Sequence, residues 1–162
     1  MIGSLHTMSY LEPHNSFKTL FAWFKRVQTV NIKDQYEKYN VRAFDLHLYF
    51  VGEKGRAIFK RGSVEFETFS VYEILSYLNS MKNVYVRIVL EDNGSYLHDK
   101  KREILEKRFV EYCKMISVIY PNIAFFGGYR ETDSKQLYNF ENDAPDDLIF
   151  YKRVDKLNCA LP

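Results

Sequence analysis

Apolar and polar residues alternate along this chain with two different periods, and the switches between them mark out its elements. Over residues 41–50, VRAFDLHLYF, β-forming side chains take turns on two faces, which predicts a strand ending near Gly52. Residues 83–91, NVYVRIVLE, form the clearest buried-strand pattern. Shorter extended pieces are expected at 2–5, 57–60 and 63–67, with a turn at 53–55 and further strands in NIAFFGG and DLIFY, at 122–128 and 147–151. Between them the period lengthens. Phe17, Leu20, Phe21, Phe24 and Val27 lie on one stripe of a helix over 15–28, with Asn15 or Ser16 placed to cap it. A short helix is expected at 31–39. Val71, Ile74, Leu75 and Leu78 follow a Ser70 cap, and Leu105, Phe109, Tyr112, Ile116 and Ile119 share one face of a helix over 99–120 that Pro121 ends. Strands alternating with helices predict an α/β fold built of parallel βα units, whose ligands gather at the strands' carboxyl ends.

Polar residues fall at those ends. Period two on the strand over 41–50 groups Val41, Ala43, Asp45, His47 and Tyr49, so Asp45 and His47 project to one side and can share a ligand. On the strand over 83–91 it groups Tyr85, Arg87, Val89 and Glu91, with Glu91 at the exit and Arg87 deeper. A buried Arg87 needs a partner. Asp45 has a structural reading too, as an ion pair with Arg87 or Arg61.

Composition narrows the class. With 162 residues, 46% of them hydrophobic, the chain can bury one sizeable core, and neither a linker nor a repeat divides it, so residues 1–162 read as one domain. Its 23 basic and 21 acidic residues leave a net charge of +2, too balanced for nucleic acid to be the main partner. Cys113 and Cys159 lie far apart and read as thiols, with neither zinc spacing nor a disulfide framework. No apolar run reaches the roughly 18–20 residues of a membrane span, and the chain reads as cytoplasmic.

The blocks IGSLHTMSYL, QTVNIKDQYEKYNVRAFDLHLYF, FKRGSVEF and VYVRIVLE, in that order, resemble the phosphatidylinositol-specific phospholipase C X-type family, with PNIAFFGGYR a looser match. The resemblance covers roughly residues 1–91 and implies a TIM-barrel-like phosphodiesterase fold. The chemistry departs from the family pattern. An ungapped reading puts Leu5 where the family has its first catalytic His, with His6 beside it; His47 stands where bacterial members have an Arg after Phe-Asp-Leu; and Arg61 precedes Gly62 where a second catalytic His is usual.

Two readings follow. In one, His and Arg have exchanged places, so that His6 and His47 serve as acid and base with Asp45, while Arg61 and Arg130 bind phosphate. A phosphodiesterase needs that inventory of base, acid and cation. The resemblance also implies a variant with one divalent metal ion at Asp45, His47 and Glu91, where a His would favour a transition metal over calcium. In the other reading the domain has lost turnover and binds a phosphorylated small ligand or a protein partner. Five strands are expected where a closed barrel needs about eight, so the barrel is incomplete or open. Its edge is then covered by residues 146–162 or by a second copy in a homodimer.

Overall fold

The computed structural model describes residues 1–10, 28–66, 69–92 and 99–157. The helix expected over 15–28 lies outside the described residues except for Gln28. The other expected elements form close to their predicted places. They are β1 (Ile2–Ser4), α1 (Ile32–Glu37), β2 (Val41–Val51), β3 (Arg56–Arg61), β4 (Val64–Phe66), α2 (Val71–Asn79), β5 (Val84–Leu90), α3 (Asp99–Ile119), β6 (Ile123–Arg130) and β7 (Ile149–Tyr151), and a 3-10 turn (Thr7–Tyr10) that was not expected follows β1.

The strands make one seven-stranded mixed sheet around β2. At 11 residues, β2 is long enough to hold β5 in parallel along one edge and two different strands along the other. Parallel β1 pairs with β2 residues 41–44, and antiparallel β3 pairs with residues 48–51. β1 and β3 part over residues 45–47, and a cleft opens there. The rest of the path is β5 to β6, β3 to β4 and β1 to β7.

Alternation sorts the two faces. Phe44, Leu46 and Leu48 of β2 and Val86, Ile88 and Leu90 of β5 are fully buried in one apolar cluster with Leu75 and Leu78 of α2 and Phe109, Cys113 and Ile116 of α3. Burying each large side chain contributes about 1.5–3 kcal/mol, so this helix-covered face holds the core. A capping box starts α2: Ser70 Oγ accepts from Glu73 N–H, and the Glu73 carboxylate accepts from Ser70 N–H. The opposite face carries Asp45, His47 and Arg87.

The expected TIM-barrel-like phospholipase C fold is not the architecture. The sheet curls into a half-barrel and stays open, with three α-helices among the described residues. The physical reason lies in two pairings. The β3–β4 hairpin takes β2's outer edge antiparallel, where a barrel requires another parallel βα unit. β7 docks on β1, and the chain after β6 turns back on itself. Leu137 and Tyr138 N–H both donate to Gly128 O at 2.9 Å, and Gln136 bridges Tyr129, so the outer edge of β6 is covered by its own return. Phe126 of β6 and Phe150 of β7 stack at 6.4 Å, joining the two ends of the curl.

Candidate functional site

His6 follows the last residues of β1 with a φ of +48°, the left-handed region that side chains other than glycine rarely occupy. Its surroundings hold it there. The His6 N–H donates to Asp45 Oδ2 at 2.9 Å. Thr7 Oγ1 donates to Ser4 O at 2.9 Å and accepts from Asp45 N–H at 2.8 Å, so the 3-10 turn fills the stretch of β2 edge that β1 and β3 leave unpaired. Fully buried Gln28 donates to Leu5 O at 3.0 Å and to Tyr151 O at 2.9 Å, tying the ends of β1 and β7 together beneath it.

Asp45 is the hub. Its buried carboxylate accepts the His6 N–H, meets His47 Nε2 at 3.1 Å through Oδ2, and accepts from Arg87 Nε at 2.7 Å through Oδ1. Burial alone would favour the neutral acid, but the charges and hydrogen bonds of His47 and Arg87 outweigh it and hold the carboxyl well below its ordinary range. His47 is bracketed by acids, with Asp45 on Nε2 and Glu91 on Nδ1 at 3.2 Å, and Glu131 3.9 Å from Nδ1. Burial opposes its charge as well, yet these carboxylates lift its pKa to about 9, and an imidazolium donates to both neighbours.

The His6 ring lies 4.2 Å from the His47 ring, centroid to centroid. Burial, then the positive His47, drive the His6 pKa down to about 3, so at neutral pH the ring is uncharged. Among the described residues its buried Nδ1 has no hydrogen-bond partner. A neutral and a protonated imidazole therefore stand side by side, tilted at 50° to each other.

Met8, Ser9, Phe59, Lys60, Arg61 and Phe66 complete the cleft around them. Its free space is about 10 Å³, room for roughly one water-sized group. Arg61 stands close enough for Glu91, Asp45 and Glu131 to act on its charge, although burial dominates and lowers its pKa.

Of the residues singled out in the sequence, His6, Asp45, His47, Arg61 and Glu91 come together, and Arg130 does not. A bulge explains the difference. Regular alternation from Phe126 would bring Arg130 to the site face. The register of β6 against β5 slips by one at Gly127–Gly128, however, which puts Tyr129 opposite Val89 and Arg130 opposite Leu90. Arg130 is thereby turned to Glu106 on α3 and to Asp92 and Asp133, which match its charge. The sequence reading missed Lys60 and Glu131. Parity could have found Lys60, which pairs with Glu65 and shares a face with Tyr49, whose ring lies 3.8 Å under its ammonium.

The ligating atoms of His6, Asp45 and His47 all lie within 4.8 Å of one another, so this group can hold a metal ion. The set expected from sequence was Asp45, His47 and Glu91. Glu91 instead sits behind His47 on its other ring nitrogen, where metal sites commonly place an orienting carboxylate.

No family model, curated protein or solved structure matches this chain. Among the described residues, no helix is long and apolar enough to cross a membrane.

Proposed function

We propose that this chain is a phosphodiesterase that cleaves a small phosphodiester by paired-histidine acid–base catalysis. The observation that carries the reading is the His6–His47 pair, rings 4.2 Å apart around the Asp45 carboxylate; burial pushes the His6 pKa down and the carboxylates push that of His47 up, which suits one to act as base and the other as acid. Neutral His6 takes the proton of the attacking hydroxyl or water as its oxygen bonds to phosphorus. His47 gives its Nε2 proton, until then donated to Asp45, to the leaving oxygen as the other P–O bond breaks, and the reverse exchange with water resets both rings. Asp45 positions the two rings, and Arg61 offsets the charge that builds on the phosphoryl oxygens. The four sequence blocks that resemble the phospholipase C X-type family support a phosphodiester as the substrate, although the two histidines stand at positions other than the family's.

The direct test is release of nitrophenolate from bis(4-nitrophenyl) phosphate by the purified chain. His6→Ala is expected to lower that rate at least about 100-fold, whereas His47→Gln is expected to do so with an alkyl phosphodiester, whose leaving oxygen must be protonated, and to affect the nitrophenyl ester less. An undiminished nitrophenyl rate in His6→Ala, or an undiminished alkyl-ester rate in His47→Gln, removes that residue from the mechanism, and binding of phosphate esters without turnover in the parent supports the ligand-binding alternative.

A metal-assisted route has its own observation, the three ligating atoms within 4.8 Å. Nitrogen donors with one carboxylate suit zinc or manganese better than calcium, and the ion would supply Lewis-acid activation of a phosphoryl oxygen. His47 would first have to release the proton that Asp45 and Glu91 hold in place. Activity unchanged after chelation and dialysis supports the acid–base route; activity lost and restored by Zn²⁺ or Mn²⁺ supports the metal.

A further inference from the structure

We propose that a groove beside the histidine pair, walled by Arg87, Phe126, Tyr129 and Phe150 with Asn139 and Asn142 at its lip, is a nucleoside subsite, which makes the substrate a nucleotide ester. The location rests on the phosphodiesterase reading above, but binding there needs no turnover.

The first argument is room. The cleft at His6 and His47 offers about 10 Å³ and admits little beyond a reacting oxygen, so the bulk of any substrate must lie elsewhere. The groove offers about 680 Å³, within the range of small-molecule sites. The second argument is continuity. Arg87 lines the groove and also donates to Asp45 at 2.7 Å, and Asp45 in turn holds both histidines. The groove therefore begins one side chain away from the reacting pair.

The third argument is chemistry. Phe126 and Phe150 stack on each other within 24° of parallel and the Arg87 guanidinium covers Phe150 at 4.0 Å, which fixes an aromatic inner wall; Tyr129 beside them is half-buried and, among the described residues, makes no ring contact, so its ring is the face open to stacking. Gln136 is engaged with Gly127 O and Tyr138 O, whereas the exposed amides of Asn139 and Asn142 make no hydrogen bond among the described residues. Stacking faces with free amides are the combination that recognises a base by its plane and its edge. An acyl chain would meet those amides and Asp143 where it needs an apolar wall. Charge sets the direction: among the described lining residues Arg87 is the one cation, at the inner end, and Asp143 the one acid, on the exposed 136–148 return. The phosphate is drawn inward and the uncharged base outward.

The test is calorimetric titration of the intact chain with adenosine 5′-monophosphate, inositol 1-phosphate and inorganic phosphate. Adenosine monophosphate is expected to bind at least about tenfold more tightly than either of the others, and the double substitution Asn139→Ala and Asn142→Ala to weaken it about tenfold. Equal affinity for adenosine monophosphate and inorganic phosphate overturns the subsite. Tighter binding of inositol 1-phosphate overturns the nucleoside in favour of a polyol. Tight nucleotide binding by a chain inert toward bis(4-nitrophenyl) phosphate would keep the subsite and sink the catalytic reading.

Discussion

Asp45 and Arg87 are register partners across the parallel β2–β5 pair, and their side chains meet on the open face of the sheet with Arg87 Nε 2.7 Å from Asp45 Oδ1. The strand pairing itself therefore supplies the buried charge pair, and the histidines are built onto it. Replacing Asp45 with Asn leaves Arg87 and the protonated His47 facing a neutral amide. Removing one partner of a buried pair costs about 3–5 kcal/mol, and a loss of that size is expected in urea unfolding at pH 7. Arg87→Met should cost less, because Asp45 keeps His47. Equal losses in the two variants would mean that Asp45 is not the hub.

Stability should peak near pH 6.5, the ordinary histidine value from which both rings depart. His47 is raised to about 9, so its contribution is complete below pH 6.5 and is lost as the pH climbs through 9. His6 is lowered to about 3, so its contribution is complete above pH 6.5 and is lost as the pH falls toward 3. Each limb changes by at most about 1.4 kcal/mol per pH unit for its single proton. Chemical unfolding across this range, repeated with His47→Gln, should show the alkaline limb flatten and the acid limb shorten but persist, because burial still lowers His6 when the positive ring beside it is gone.

The same two values shape the expected rate profile. A base that titrates near 3 and an acid that titrates near 9 give a plateau of kcat/KM across neutral pH and a fall above about pH 9 as His47 loses its proton. A profile with an acid limb centred near pH 6.5 would show that His6 is not held neutral by its surroundings, and the assignment of base and acid would have to change.

The parts of this site that follow from local periodicity were legible in the sequence. Asp45 and His47 share a face because β2 alternates strictly, and Glu91 lies beside them because β5 runs parallel in a register that keeps the parity. What depends on irregularity was not legible. The bulge at Gly127–Gly128 moves Arg130 to the helix side and Tyr129 to the site side, and alternation alone gives the reverse. The βα alternation suggested a barrel, but AIFK and SVEFE pair with each other as a hairpin instead of leading into another parallel unit. The neutral state of His6 depends on burial and on a second positive ring nearby, both of which exist only once β1 and β2 are docked.

Gly128 tests how the half-barrel closes its exposed edge. Its φ is +81°, and a Cβ there would stand 2.0 Å from Tyr138 O, the residue whose N–H returns to Gly128 O. No side chain fits without moving the return of residues 136–138, which covers the edge of β6 and leads into Asn139 and Asn142 at the groove. Gly52 provides the comparison: it has a φ of +69° with nothing within 4 Å, so Gly52→Ala meets only the backbone penalty of about 1–2 kcal/mol. Gly128→Ala is expected to lose at least about 2 kcal/mol more than Gly52→Ala in urea unfolding, and to bind adenosine monophosphate more weakly, because the collision adds to the same backbone cost. If the two alanine variants unfold alike, the return does not hold this edge, and the covered strand β6 must owe its protection to something else.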